Sequence, residues 1–210
     1  RLRKRFEEEG YAVDFVNAAV SGYTTRTAKE HFDRLTAGVN PNLVILQFGI
    51  NDSAIDVWAD PPATRPRVSE EEFAQNLRWM IERFRAKSIP VILMTTTQLR
   101  WGDETLALYG KAPYNGDDPL SFTNVSLRRY NEVIRRVAEG TETPLVDIFD
   151  RWDQIASEQG EEAVSALLFG GKMHPGTAGH AVTAEELYPV LLKKLKPYRD
   201  RTPEPLKKID

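Results

Sequence analysis

The sequence predicts an α/β fold, a three-layer α/β/α sandwich built on a mostly parallel sheet. Two observations carry that prediction. Short, almost wholly apolar runs recur at 43–48 (LVILQF), 90–95 (PVILMT) and 144–148 (PLVDI), the pattern of strands covered on both faces. Segments of helical periodicity alternate with them, and such alternation implies right-handed crossovers between parallel strands. A chain of 210 residues, 41% hydrophobic and 28% charged, has the composition of one globular domain, and its length suffices to bury roughly 70% of the unfolded surface.

Taken in order, residues 2–9 read as a short helix stopped by Gly10, a common residue just past a helix C-terminus. Residues 12–17 (AVDFVN) read as a further strand. Ser69 with Glu72 makes a capping-box pattern, followed by Phe73, Leu77, Met80, Ile81 and Phe84 on one helical face. Leu127, Tyr130, Val133, Ile134 and Val137 form a second stripe. A last helix spans roughly 177–195, and Pro189 should kink it or end its first half. Residues 1–196 then form one domain, and the polar, proline-containing stretch 197–210 is a tail.

The net charge of −3 argues against a nucleic-acid partner, which usually shows as a clustered basic excess. No apolar run approaches the ~20 residues a bilayer span needs. With no cysteine, disulfides, thiol catalysis and thiolate metal sites are excluded.

In open α/β sheets the chemistry lies at the carboxyl ends of the strands, so the loops 18–25, 49–68, 96–121 and 168–176 matter most. Asn51, in Gly49-Ile50-Asn51-Asp52 after the strand LVILQF, could donate its side-chain amide to an anionic oxygen. Alone, the tetrapeptide reads equally as an Asx-type turn. Gly22 permits close backbone approach to a ligand, or simply supplies a turn needing positive φ. His174, in a glycine-flanked loop before the last helix, is the candidate general base. His180 reads as a residue for packing or a local hydrogen bond, and His31 as a solvated one.

These elements occur in a telling order. N-x-A-V-S-G-x-T-T follows one strand, F-G-x-N-D closes another, and H-P-x-x-x-G-H enters a terminal helix. The strand VILMTTT, the helix with Arg129-Tyr130-Asn131 and the strand PLVDI accompany them. On these blocks the chain resembles the SGNH (GDSL-type) hydrolases from about Leu2 to Leu195. The resemblance implies a flavodoxin-like sandwich, ester hydrolysis by a serine nucleophile, His174 as general base, and Gly22 and Asn51 as oxyanion donors. It implies no metal or organic cofactor and leaves the substrate open between a small-molecule and a carbohydrate ester.

The chain departs from that pattern twice. The family's first block, a strand ending in G-D-S, is not among its residues, so the central first strand is expected to be missing and the nucleophile to lie upstream of residue 1. Ser21 and Ser53 sit in the oxyanion loops rather than where a base could reach them. Gly171 stands where the family usually has the aspartate that orients the histidine. These departures motivate an alternative, a non-catalytic binding module that keeps the pocket. The loops 49–68 and 96–121 carry Trp58, Trp101 and Tyr114. Exposed, these rings would suit stacking on a sugar; buried, they would anchor long loops to the core. Oligomeric state and compartment are not written in the sequence.

Overall fold

Three of the four expected strands form, and they pair in parallel in the order β1-β2-β3. The computed structural model describes residues 1–170 and 172–196; Gly171 and the 197–210 stretch lie outside the described residues. Helix α1 (Leu2–Glu8) opens the chain, followed by α2 (Thr25–Glu30), α3 (Phe32–Thr36), β1 (Val44–Gln47), α4 (Ile50–Ser53) and α5 (Glu70–Arg85). Then come β2 (Val91–Met94), α6 (Asp103–Tyr109), a π-helical turn at Thr123–Leu127, α7 (Arg128–Gly140) and β3 (Leu145–Val146). Helices α8 (Ile148–Gln159), α9 (Glu161–Ala166) and α10 (Thr177–Leu195) complete the order.

The strands are apolar on both faces because both faces are covered. In β2, Val91 and Leu93 point into a core with α5 and α7, where Phe73, Leu77, Ile81, Tyr130, Ile134 and Val137 are buried. Ile92 and Met94 point the other way, into a core with Phe6 of α1, Trp152 of α8, Val164 of α9 and Leu187 of α10. That alternation makes three layers. A third cluster, with Ala54, Ile55, Leu99, Trp101, Tyr114, Phe122 and Phe149, gathers on the segments that follow the strands. Among the described residues no helix is long and apolar enough to cross a membrane.

The expected strand at 12–17 does not form; residues 11–20 have no regular structure. A strand is held by its neighbours' backbone groups, and among the described residues β1 pairs only with β2. Val44 N–H donates to Pro90 O at 3.0 Å, so in a parallel ladder Ile45 and Gln47 direct their backbone groups to the other side. Phe15 and Val16 remain 39% and 52% exposed on the unpaired segment.

Local signals behave as their chemistry dictates, with two adjustments. Gly10, at φ +79°, ends α1 and lets Tyr11 N–H reach Phe6 O at 2.8 Å. Ser69 Oγ accepts from Glu72 N–H at 3.2 Å, but Glu72 does not complete the box. Its carboxylate is drawn instead to Arg26, with contacts of 2.6 and 2.5 Å, which ties α2 to α5. Pro189 does not end α10, which runs on to Leu195. Leu187, Tyr188 and Leu191 are buried around it, and tertiary packing of that face outweighs the one backbone hydrogen bond a proline removes.

Candidate active site

At the carboxyl end of β1 the backbone turns sharply at Gly49, φ +131°, into the single turn α4. A Cβ on Gly49 would meet Thr96 Cγ2 at 3.2 Å, so the position suits glycine on two counts. The turn delivers Asn51, Asp52 and Ser53 to three different surroundings.

Asp52 is fully buried and ties this turn to the N-terminus of α2. Its Oδ1 accepts from Thr25 N–H at 2.8 Å and Thr25 Oγ1 at 2.5 Å, while Asn76 Nδ2 donates to the same Thr25 hydroxyl at 3.3 Å. Burial pushes the Asp52 carboxyl above the usual carboxylate range, against the opposing pull of the Thr25 hydrogen bonds. Its Oδ2 is buried without a partner. Ser53 is buried and donates to Ile50 O at 3.1 Å, a local turn bond.

Asn51 is half-buried. Its Nδ2 donates to Tyr23 O at 3.2 Å, and its Oδ1 accepts from Arg67 Nη1 at 3.2 Å. A carboxamide nitrogen carries two hydrogens, and among the described residues only one of them has an acceptor, which leaves one for a ligand. Gly22 directly precedes Tyr23 and takes φ +79°, with no atom within 4 Å of where a Cβ would stand. The Asn51 amide and the Gly22 turn are therefore neighbours. Ser21 lies exposed on the same turn.

The loop carrying His174 is a narrow return held by its backbone. Leu168 and Pro175 form an antiparallel bridge. Phe169 N–H donates to His174 O at 2.8 Å, and Gly176 N–H donates to Leu167 O at 2.8 Å. Arg100 N–H, from the segment after β2, reaches Lys172 O at 3.0 Å. Met173 packs against the third cluster, which Ile50 also borders. The residues immediately before His174 and Asn51 thus rest on one apolar base beyond the strand ends. The His174 side chain itself is exposed, and among the described residues no hydrogen bond or ion pair engages its ring. His180, expected to pack or to make a local hydrogen bond, is exposed, whereas His31 is half-buried and lies tilted against Tyr23 at 5.8 Å between ring centroids.

The three aromatic candidates divide. Trp101 is 7% exposed and donates Nε1–H to Asn115 O at 3.2 Å. Tyr114 is 3% exposed and accepts Ile55 N–H on its hydroxyl at 2.9 Å. Both anchor loops and offer no free face for a sugar, since burying a ring beats leaving it wet. Trp58 is 49% exposed.

Several residues escaped the sequence reading. Arg67 Nε and Nη2 clamp Asp56 at 2.9 and 2.7 Å, and Tyr109 OH lies 3.3 Å from Nη2. Arg100, 3% exposed, reaches Gln98 and Glu161, while Gln98 and Arg128 converge on Asp153. This network pins the segment after β2 to α8 and α9. Asp147 caps α8 through Asp150 N–H and accepts from Thr95 Oγ1 and Arg135. Burial alone would push the Asp147 carboxyl up, but Arg135, the Asp150 amide and the Thr95 hydroxyl together hold it below the usual range. Most of these partners lie far apart in sequence, such as Arg100 and Glu161 or Gln98 and Asp153.

An asparagine at the end of a parallel strand thus lies beside a glycine turn, with a loop histidine across a shared apolar base. The chain belongs to the GDSL-like lipase/acylhydrolase family, which matches residues 1–182. It is similar to the uncharacterized lipoprotein YqeF of Bacillus subtilis, 29% identical over 165 residues, covering 78% of this chain and 65% of that protein. The human isoamyl acetate-hydrolyzing esterase 1 homolog is 29% identical over 192 residues, with 87% of this chain and 70% of that one covered. Among solved structures, LAE5, an alpha/beta hydrolase enzyme from the metagenome of Lake Arreo, superposes with a TM-score of 0.64 at 26% identity, covering 93% of this chain and 77% of that one.

Proposed function

We propose that this chain supplies the oxyanion-binding side and the general base of an ester hydrolase acting on a small acyl or acetyl ester. Asn51 Nδ2 and the Gly22 N–H are the oxyanion donors, and His174 is the base. The observation that carries this reading is the Asn51 amide, fixed at a strand end beside the Gly22 turn with one hydrogen free. A relative named for hydrolysing isoamyl acetate supports the substrate class, and the half-exposed Trp58 indole is a surface for the alcohol portion.

Neither Ser21 nor Ser53 suits the nucleophile, since the first is on the oxyanion turn and the second is buried in a local bond. The reaction takes a serine nucleophile of the family's first block; among the described residues no strand pairs with the outer side of β1, where the strand of that block would lie. In the reaction the serine Oγ–H gives its proton to His174 as Oγ bonds the ester carbon, and the carbonyl electron pair moves onto the oxygen held by Asn51 and Gly22. Collapse expels the alcohol, which takes the proton from His174. Water, deprotonated by His174, then releases the acid and the serine.

Turnover of p-nitrophenyl acetate by the protein as its gene encodes it tests this. Asn51→Ala should lower kcat by about two orders of magnitude or more, and His174→Ala should abolish it. Unchanged turnover in the His174 variant refutes the base. No turnover in the wild-type protein, with a carbohydrate still bound, would favour a pocket that binds without catalysing.

A further inference from the structure

Arg67 makes a contact at the proposed oxyanion site that the reaction above does not use. We infer that Arg67 is a positioning residue, which sets the orientation of the Asn51 carboxamide and strengthens its N–H as a donor. The inference rests on the proposed role of Asn51.

A carboxamide can sit either way round, and the two orientations have opposite effects on an anion. With nitrogen toward the substrate it donates; with oxygen there, it repels. The partners of Asn51 allow only one arrangement. Arg67 Nη1, at 3.2 Å, has hydrogens to give and no lone pair, so it must face Oδ1. Tyr23 O, at 3.2 Å, can only accept, so it must face Nδ2. Turning the amide over would break both bonds at once and set like ends against each other.

The guanidinium has little freedom to follow such a turn. Its backbone N–H donates to Ala54 O at 2.9 Å, and the next residue, Val68, donates to Asp52 O at 3.2 Å. Two ladder-like bonds thus bind residues 67 and 68 to the turn that carries Asn51. Asp56 takes Nε at 2.9 Å and Nη2 at 2.7 Å, which fixes the plane of the fork and leaves Nη1 aimed at Asn51. The same pair holds the Arg67 guanidinium firmly protonated, the side-chain hydrogen bond with Asp56 outweighing burial. A permanent cation on Oδ1 draws electron density from the amide nitrogen, and hydrogen bonds in a chain polarise one another in this way. The Nδ2–H left for the oxyanion is therefore a stronger donor than a free carboxamide would be. A lysine would keep the charge but lose the fork.

Kinetics and spectroscopy together decide the matter. In the active protein Arg67→Met should lower kcat about 10- to 100-fold with KM within about twofold, and Arg67→Lys should fall between the two. In the Asn51→Ala background Arg67→Met should cost less than about threefold more, because its effect passes through the amide. Equal losses in both backgrounds overturn the inference and leave a structural role. If Asn51→Ala itself leaves kcat unchanged, the proposed function fails instead. A second readout in the same protein does not depend on turnover. The Asn51 side-chain N–H₂ resonances, assigned by their loss in Asn51→Ala, should shift and draw together in Arg67→Met. Resonances that stay in place in a folded Arg67→Met protein, judged by the backbone spectrum, also overturn it. If Arg67→Met does not fold, Arg67→Lys is read by the same two criteria.

Discussion

Gly179 lies in the first turn of α10, where the structure leaves no room for a side chain. A Cβ there would stand 2.5 Å from Leu167 O, 2.9 Å from Pro175 Cβ and 3.2 Å from Trp152 Cζ2. None of the three gives way easily. Leu167 O already accepts Gly176 N–H at 2.8 Å, Pro175 is bridged to Leu168, and Trp152 is fully buried. Overpacking of this kind costs about 1–3 kcal/mol, and a clash with fixed backbone belongs at the upper end. Alanine's better helix propensity returns at most about 1 kcal/mol. The net for Gly179→Ala is therefore a loss of about 2 kcal/mol, or roughly 4–8 °C in Tm for a chain of this size. Gly140, the last residue of α7, is the matched control: nothing lies within 4 Å of its Cβ position and its φ is not left-handed. Gly140→Ala should gain about 0.5–1 kcal/mol, largely by restricting the unfolded chain. Thermal melts by circular dichroism, with urea titrations for the free energies, measure both. A Gly179→Ala protein melting with or above the wild type would refute the packing argument, whatever Gly140→Ala does.

Two further predictions concern acid pH, with opposite signs. The Asp147 carboxyl is held low, so its stabilisation is present above the unfolded value of about 3.9 and is lost as pH falls through the folded one. Arg135→Met should remove about 1.5 kcal/mol at pH 7 and flatten that acid loss, as read by urea unfolding between pH 2 and 7. The pair is only about a quarter exposed on each side, which is why screening does not erase it. The Asp52 carboxyl is held high, so the native state binds the extra proton and stability falls as pH rises from about 4 through the raised value. Asp52→Asn keeps an oxygen for Thr25 and carries no charge to desolvate; it should abolish that decline, and a wild-type slope in the variant would contradict the assignment.

How much of this was legible in the sequence follows the range of the forces involved. The runs at 43–48, 90–95 and 144–148 became β1, β2 and β3 because two-sided burial is written into consecutive residues. The stripe through Tyr130 and Val137 became the buried face of α7 for the same reason. Residues 12–17 carry an equally good strand pattern, yet a strand also needs a neighbour, and local composition does not report whether one is present. The capping box at Ser69 was half right, because Glu72 found a cation 46 residues away that no local rule could reveal. At the candidate site, Gly22, Asn51 and His174 were visible as residue types in characteristic loops. Their supports were not: Thr25 holds Asp52 across 27 residues, and Tyr114 holds Ile55 across 59. Trp101 and Tyr114 look the same in sequence whether they line a pocket or fill a core, and only their burial separates the two.

The supports are unevenly shared between the two halves of the candidate site. On the oxyanion side the turn at 49–53 is fixed by Asp52 to α2, by Arg67 and Val68 to its own backbone, and by Tyr23 O to the Gly22 turn. On the histidine side, backbone hydrogen bonds and the packing of Met173 shape the loop, while the His174 side chain is exposed and, among the described residues, its ring makes no hydrogen bond or ion pair. That asymmetry matches what each group must do in the proposed reaction. An oxyanion donor works only if it already points at the position where charge develops, since reorienting a dipole during the reaction consumes the stabilisation it offers. A general base must instead meet the nucleophile, the leaving alcohol and water in turn, and some rotation of the imidazole serves all three. Two costly elements, a buried and unpartnered carboxylate oxygen on Asp52 and a part-buried ion pair at Asp56–Arg67, lie on the donor side. Such groups persist where the surrounding structure over-determines them, and here what they over-determine is the direction of a single amide.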